Sequence, residues 1–515
     1  MGTWADCVGG LWAKGLGLPS YRRRSVVVRG LVAVVGAVAL GVVGVGTAAA
    51  AGGEVVGTEG GLIRGIVQDD VRTFRGIPYA APAERWRSPR PVEPWTGVRD
   101  ATEYANSCAQ PEHPVGVASA NEDCLYLDVT TPSKSGKKRP VIVWIHGGSF
   151  TNGANSLYGP NRFAARGDVV VVQVQYRLGA FGFLASPLLG SDSGNYGLED
   201  QQAALRWVRK NAADFGGDPR NVTLMGESAG AYSVCDHLAS PTAAGLFDRA
   251  IIQSGPCAQE YSAINYAAPR PRSVAYDYSR RLATDLNCKT AACLRSIPAD
   301  RLLAATEAAE FGPVLGGRVL PHHPAERMVN KVPVLHAVNH DEESGRYGAQ
   351  EVFGQPITQA DYETAVRDTF GSEADKILAE YADVRPAGRA LATVMTDSHW
   401  STPAAKTNRL LSTRMPTYAI EFAGEAPWYA GAPKPDWPVG SHHLSDVAYF
   451  FDLDVLEPPQ QQYADHLITT WADFARTGTT PWPRTRPDDR TVQSLTPTGA
   501  TRTDFITDHR VRFWQ

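Results

Sequence analysis

A chain of 515 residues with 43% hydrophobic and 20% charged side chains and a net charge of −4 has the balance of a globular protein with a large core. That balance, with no long basic run beyond the N-terminal segment, argues against a nucleic-acid partner. The 49 glycines and 36 prolines fit many loops, yet no Pro/Gly/Ser-rich linker divides the chain.

The first segment reads as a targeting signal. Arg22, Arg23 and Arg24 precede an apolar stretch over 26–45, interrupted by Arg29, and Thr47-Ala48-Ala49-Ala50-Ala51-Gly52 follows. A basic region, an apolar region and an alanine-rich cleavage site make residues 1–51 an export signal with an N-terminal extension ahead of Tyr21. The apolar part of this segment is rich in Gly and Ala and shorter than the roughly 20 strongly apolar residues of a membrane span. The expectation is a secreted protein with no stable membrane span after signal removal. Cysteine usage agrees. With Cys7 removed, six cysteines remain, and an even number in an exported chain favours disulfides. Proximity pairs Cys108 with Cys124 and Cys288 with Cys293. Cys235 and Cys257 are left as a third disulfide or as two buried thiols.

Beyond this segment, residues 54–79 look like antiparallel strands with Gly turns. Short β-branched runs then alternate with helix-like stretches. Strands are expected at 140–145, 168–175, 222–225, 250–253, 332–336 and 417–422, and helices at 198–215, 229–238, 273–287, 361–381 and 460–476. Near-continuous apolar strands separated by helices predict an α/β fold with a mostly parallel central sheet and helices on both faces. Residues 488–515 are polar and strand-like, a closing element. Residues 52–515 read as one catalytic domain with helical insertions between roughly 260 and 410.

Two glycine-framed turns carry the chemistry. Gly226-Glu227-Ser228-Ala229-Gly230 follows an apolar strand and opens a helix-compatible run. A serine on such a strand-to-helix turn is pushed clear of the sheet, between glycines whose side chains would collide with their neighbours. Ser228 is therefore the candidate nucleophile. His146-Gly147-Gly148-Ser149-Phe150 follows the strand at 140–145, and glycines there let backbone N–H groups point into a cavity. The amides of Gly148, Ser149 and Ala229 are the candidate oxyanion donors, with His146 ordering the turn. His322 and His323 sit in a Pro-bounded loop, no metal-ligand spacing is present, and neither a metal nor a cofactor is expected.

These motifs occur in order with Phe74-Arg75-Gly76-Ile77-Pro78-Tyr79-Ala80, Glu122-Asp123-Cys124-Leu125-Tyr126-Leu127, Gly194-Asn195-Tyr196-Gly197-Leu198-Glu199-Asp200-Gln201 and Phe215-Gly216-Gly217-Asp218-Pro219. Together they resemble the type-B carboxylesterase/lipase family of the α/β-hydrolase fold, which includes para-nitrobenzyl esterases, fungal lipases and cholinesterases. The resemblance implies a Ser–Glu–His triad in that chain order. Its acid lies in a run resembling Asn-x-Asp-Glu-Gly, here Asn339-His340-Asp341-Glu342-Glu343. This points to Glu342, leaves Asp341 and Glu343 as surface charges, and puts Glu343 where glycine is usual. Its base lies in a run resembling Gly-Ala-x-His-x-x-Glu, here Gly440-Ser441-His442-His443-Leu444-Ser445-Asp446. Counting back from Asp446 gives His443, with His442 the neighbouring competitor. The resemblance also implies the disulfides Cys108–Cys124 and Cys288–Cys293, and not Cys235–Cys257.

The implied activity is cofactor-free hydrolysis of a small-molecule carboxylic ester through an acyl-enzyme. A lipase acting on longer-chain interfacial substrates shares that chemistry and is the alternative. A non-catalytic binding member of the fold is a second, though such members usually lack the serine, and an amidase or lactonase, which triad chemistry alone does not exclude, is a third. Nothing in the sequence sets the oligomeric state.

Overall fold

The computed structural model describes residues 53–515 except 114–115, 135, 137, 263–264, 266, 426–432 and 454–455. The expected export segment, 1–51, lies outside the described residues. In chain order the strands are β1 (Val55–Thr58), β2 (Gly61–Arg64), β3 (Ile66–Gln68), β4 (Val71–Pro78), β5 (Val98–Asp100), β6 (Tyr126–Pro132) and β7 (Arg139–Ile145). They continue as β8 (Val170–Val174), β9 (Gly217–Glu227), β10 (Arg249–Gln253), β11 (Val334–Asn339), β12 (Thr417–Phe422), β13 (Val492–Thr496) and β14 (Gly499–Thr503).

Strands β1, β2 and β5 form a small sheet, and the others form an eleven-stranded sheet ordered β14-β13-β12-β11-β10-β9-β7-β8-β6-β4-β3. From β8 through β7, β9, β10, β11 and β12 to β13, every neighbouring pair is parallel. Antiparallel pairs close both edges. The central strands read as continuous apolar runs because both of their faces are covered. Val141, Val143 and Ile145 of β7 enter one core, while Ile142 and Trp144 enter the other. Ala250 and Ile252 of β10 are likewise separated from Ile251. The helices Tyr196–Asn211 and Ala229–Ala239 cover the first face, and Asn161–Gly167 and Pro458–Thr477 the second. This is the α/β-hydrolase arrangement anticipated above.

Differences from the expected elements have local causes. The expected strand at 332–336 begins at Val334 and runs on to Asn339, because Pro333 supplies no N–H to a ladder. The single helix expected over 361–381 is two, Gln359–Phe370 and Ala374–Glu380, separated by a 3₁₀ turn that begins at Gly371, whose φ is 55°. Strand β6 lacked a clear expectation, since it alternates acidic and hydroxyl side chains with apolar ones.

All three disulfides form, Cys108–Cys124, Cys235–Cys257 and Cys288–Cys293. The pair left open by the sequence joins the helix Ala229–Ala239 to the loop that leaves β10. A buried ion pair braces the same region. Asp200 accepts from Arg177 Nε and Nη2, both at 2.7 Å, tying the segment after β8 to the helix Tyr196–Asn211. Among the described residues no helix is long and apolar enough to cross a membrane.

Candidate active site

Strand β9 ends on Glu227, and the helix Ala229–Ala239 starts two residues later. Ser228 between them has φ 53° and ψ −124°, a backbone region that costs a non-glycine residue of order 1–3 kcal/mol. Its N–H donates to the Gln253 carbonyl and its carbonyl accepts from the Tyr232 N–H, each at 3.0 Å. The flanking glycines are required by contact. A Cβ on Gly226 would run into the Gly230 backbone, and one on Gly230 into the Ile145 carbonyl oxygen. Gly230→Ala should therefore lower stability by about 1–3 kcal/mol and displace the serine. Thermal unfolding read beside active-site labelling checks this, and a stable, fully labelled variant would refute it.

The turn after β7 lies over this serine. A Cβ on Gly147 would sit 3.0 Å from Ser228 Cβ and 2.8 Å from Glu227 Oε2. Gly148 has φ 107° and Ser149 φ 55°. The Gly148 carbonyl accepts from the Thr151 and Asn152 amides, both at 3.0 Å, which turns the peptide over. His146 orders the turn from beneath. Its Nδ1–H donates to the Gly147 carbonyl at 2.8 Å, and its ring stacks on Tyr176 at 4.6 Å. The Tyr176 hydroxyl donates to the His146 carbonyl at 2.9 Å. Burial lowers His146 to about 4, so the ring is neutral at pH 7. Ala229 opens its helix, and the first amides of a helix have no acceptor within it.

Two further loops meet beside this turn. Glu342 is buried just beyond β11. Its Oε1 accepts from the Asn339 amide at 2.9 Å, and its Oε2 lies 2.7 Å from His443 Nδ1. The His443 amide donates to the Glu342 carbonyl at 3.0 Å, so backbone and side chain fix the same register. His443 Nε2 lies 3.2 Å from Oε1 of Glu227, the residue before the serine. His442 faces elsewhere. Its Nδ1 is 2.9 Å from the His443 carbonyl, and its ring packs where a Cβ on Gly345 would be 2.8 Å away. The structure thus joins His443, not His442, to Glu342.

Charge at the imidazole is set by opposing effects. Burial disfavours the charged ring, but Glu227, Glu342 and Glu343 outweigh it and raise His443 to about 10. Burial also pushes the Glu227 carboxyl well above the usual carboxylate range. A neutral Glu227 exerts no such pull, and His443 then returns toward the range in which it can accept a proton.

Of the two acids beside Glu342, Glu343 is more buried than the surface charge expected, with 17% of its side chain exposed, while Asp341 keeps 34% exposed. Asp341 Oδ2 lies 3.1 Å from His340 Nδ1 and accepts from the Ser441 amide at 3.2 Å. Glu343 Oε1 accepts from the Trp400 indole N–H at 2.9 Å. The loop folds back against 439–441 and the helical segment around Trp400, which draws the Glu343 carboxylate inward and gives Asp341 backbone and side-chain partners.

Sequence reasoning missed a buried polar platform at the ends of β10 and β11. Asn339 Nδ2 donates to Ser254 Oγ (3.1 Å) and Asp446 Oδ1 (3.0 Å), its Oδ1 accepts from Ser441 Oγ (2.9 Å), and Gln253 donates to Asp446. Trp400 was missed too. Its ring lies 4.7 Å from that of His443. Asp446 was visible only as a spacing mark in the histidine run, and nothing near Trp400 in sequence signals its position.

Among the described residues, His340, Glu421 and His509 place donor atoms within 4.8 Å of one another, as a metal site would. Yet His509 Nδ1 is 2.8 Å from Asp397 and Nε2 is 2.6 Å from Glu421. Those spacings suit protons shared between ring and carboxylate better than a common ion. Burial opposes the charged ring, but the two carboxylates raise His509 to about 10, so the cluster is an imidazolium clamp.

The carboxylesterase family profile matches residues 52–514. The chain belongs to the carboxylesterase family. It is 32% identical to a phenmedipham hydrolase of Pseudarthrobacter oxydans over 86% of this chain and 95% of the relative. It is 33% identical to a para-nitrobenzyl esterase of Bacillus subtilis over 82% and 90%, and 32% identical to a cocaine esterase of Oryctolagus cuniculus over 82% and 87%. The protein is thus a carboxylic ester hydrolase acting on a small-molecule ester. In this esterase the elbow of Ser228, the glycine turn after β7 and the Glu342–His443 pair all gather at the C-terminal ends of parallel strands, where open α/β sheets bind ligands.

Proposed function

We propose that this carboxylesterase is a secreted enzyme that hydrolyses esters through an acyl-enzyme, with Ser228 as nucleophile, His443 as base and Glu342 as the acid that orients it. The supporting observation is the 2.7 Å contact between His443 Nδ1 and Glu342 Oε2 beside the strained Ser228 turn. His443 takes the Ser228 hydroxyl proton as the oxygen attacks the ester carbonyl. Glu342 accepts the Nδ1–H bond, fixes the tautomer and stabilises the imidazolium. The amides of Gly148, Ser149 and Ala229 bind the oxyanion, each worth roughly 10²–10³ in rate. His443 then protonates the departing alcohol, and water attacks the acyl-enzyme by the same route. No cofactor enters any step. Residues 52–515 act as the catalytic domain, and 1–51 serve as the export signal. The three disulfides support an oxidising destination.

The test is a panel of p-nitrophenyl esters from acetate to palmitate together with a para-nitrobenzyl ester, run beside fluorophosphonate labelling and peptide mapping. The expected result is turnover of the short esters with the label on Ser228. A label on another residue, or no label on an active enzyme, overturns the assignment. Activity that rises sharply only above the solubility limit of the long esters would replace the plain esterase by a lipase.

A further inference from the structure

Glu343 directly follows the proposed acid, Glu342, and its side chain has specific partners. Its Oε1 accepts the Trp400 indole N–H at 2.9 Å, and its Oε2 lies 3.8 Å from Arg346 Nη1. Its amide donates to the Thr396 hydroxyl at 3.0 Å, which anchors its backbone to the same helical segment that carries Trp400. The indole in turn lies against His443, with ring centroids 4.7 Å apart and planes inclined by 44°. Glu342 holds one edge of the imidazole, and the Trp400 ring packs against it at a tilt.

We infer that Glu343 is a positioning residue, which fixes the Trp400 indole against His443 and so restrains rotation of the imidazole about its bond to Glu342. A hydrogen bond to Glu342 alone leaves the ring free to tilt. An aromatic ring packed against the imidazole and held by a carboxylate restricts that freedom. A base misplaced by about 1 Å can lose up to roughly 10² in rate, so the restraint has a measurable value. Without a side chain at position 343 this contact is lost.

The same carboxylate also acts by its charge. The groups facing His443 are Glu227 from the end of β9, Glu342 and Glu343 from the acid loop, and His442 and Asp446 from its own loop. Arg346 and His399 face Glu343 from the flanking helical segments. A negative Glu343 favours the charged imidazole, so its removal makes proton loss easier and moves the acid limb of kcat/KM to lower pH.

This inference rests on His443 being the base, and the experiment separates the two claims. Glu343→Gly, Glu343→Gln, Trp400→Phe and Glu343→Gly/Trp400→Phe are compared on one short p-nitrophenyl ester, with Ser228→Ala and His443→Ala alongside. Glu343→Gly should lower kcat about tenfold with little change in KM. Glu343→Gln keeps an acceptor for the indole and should recover most of kcat, while its acid limb moves down by roughly half a pH unit or more. In the Trp400→Phe background Glu343→Gly should cost little further, because the ring no longer offers a donor. Wild-type kcat in Glu343→Gly, full additivity with Trp400→Phe, or an unmoved acid limb in Glu343→Gln overturns the inference. Should Glu343→Gly not fold, as thermal unfolding would show, Glu343→Gln and Trp400→Phe still decide it. Activity retained by Ser228→Ala or His443→Ala would instead remove the triad reading beneath it.

Discussion

Replacing His443 by alanine should lower kcat by at least about 10⁴-fold, and replacing Ser228 by about 10⁶-fold, with the double variant no worse than Ser228→Ala alone. The non-additivity is the informative part. A base that serves only one nucleophile has nothing left to do once that nucleophile is gone. His442→Asn should keep most of the wild-type rate, since the His442 ring points at the His443 carbonyl and at Gly345 rather than at Glu342. Glu342→Gln should fall between the two, because an amide can still contact Nδ1 but cannot stabilise the imidazolium. Steady-state kinetics on a p-nitrophenyl ester, with thermal unfolding as a check that each variant is folded, measures all five. A His442 variant as damaged as the His443 variant would exchange their roles.

The largest effect on stability is expected at His509, far in sequence from the chemistry. Its ring bridges Asp397 and Glu421 with side chains only 2% exposed. His509→Ala leaves two buried carboxylates without their cation, and breaking such a pair costs about 3–5 kcal/mol. The loss should depend on pH. The ring's folded-state value is raised to about 10 from an ordinary 6.5, so folding takes up a proton between these values. The stabilisation is therefore complete below about pH 6.5, declines through the alkaline range and is gone near pH 10. The gap in urea midpoint between wild type and His509→Ala should be wide at pH 6 and narrow by pH 10. A gap that widens as pH rises would contradict the assignment.

How much of this was legible in the sequence follows from range. The turn that carries Ser228 is legible because its requirements are local. A strand, two glycines and a helix start all lie within a few residues of Ser228. The central strands could be read because both faces are buried, which makes them apolar without interruption. Two adjacent histidines could not be separated by chemistry, since either ring can be a base. What separates them is the backbone bond from the His443 amide to the Glu342 carbonyl, made between loops about a hundred positions apart. Cys235 and Cys257 could not be paired for the same kind of reason. Only the side-by-side packing of β9 and β10 brings the helix after one near the loop after the other. The burial of Glu343 is not legible because acidic side chains in a turn are usually solvated, and its partner Trp400 comes from a distant segment.

The arrangement of strand ends has a consequence for how this enzyme acquires its activity. Ser228 follows β9, Glu342 follows β11, and His443 lies beyond β12, while β13 and β14 complete the sheet behind them. Each member of the proposed triad thus follows a different strand. A nascent chain holding Ser228 and Glu342 still lacks the proposed base, and a partly folded chain that has His443 still lacks the register that aims it. Turnover is therefore an all-or-none report on the assembled sheet. Recovery of activity during refolding should lag recovery of helix signal, and inactivation by denaturant should come before global loss of secondary structure.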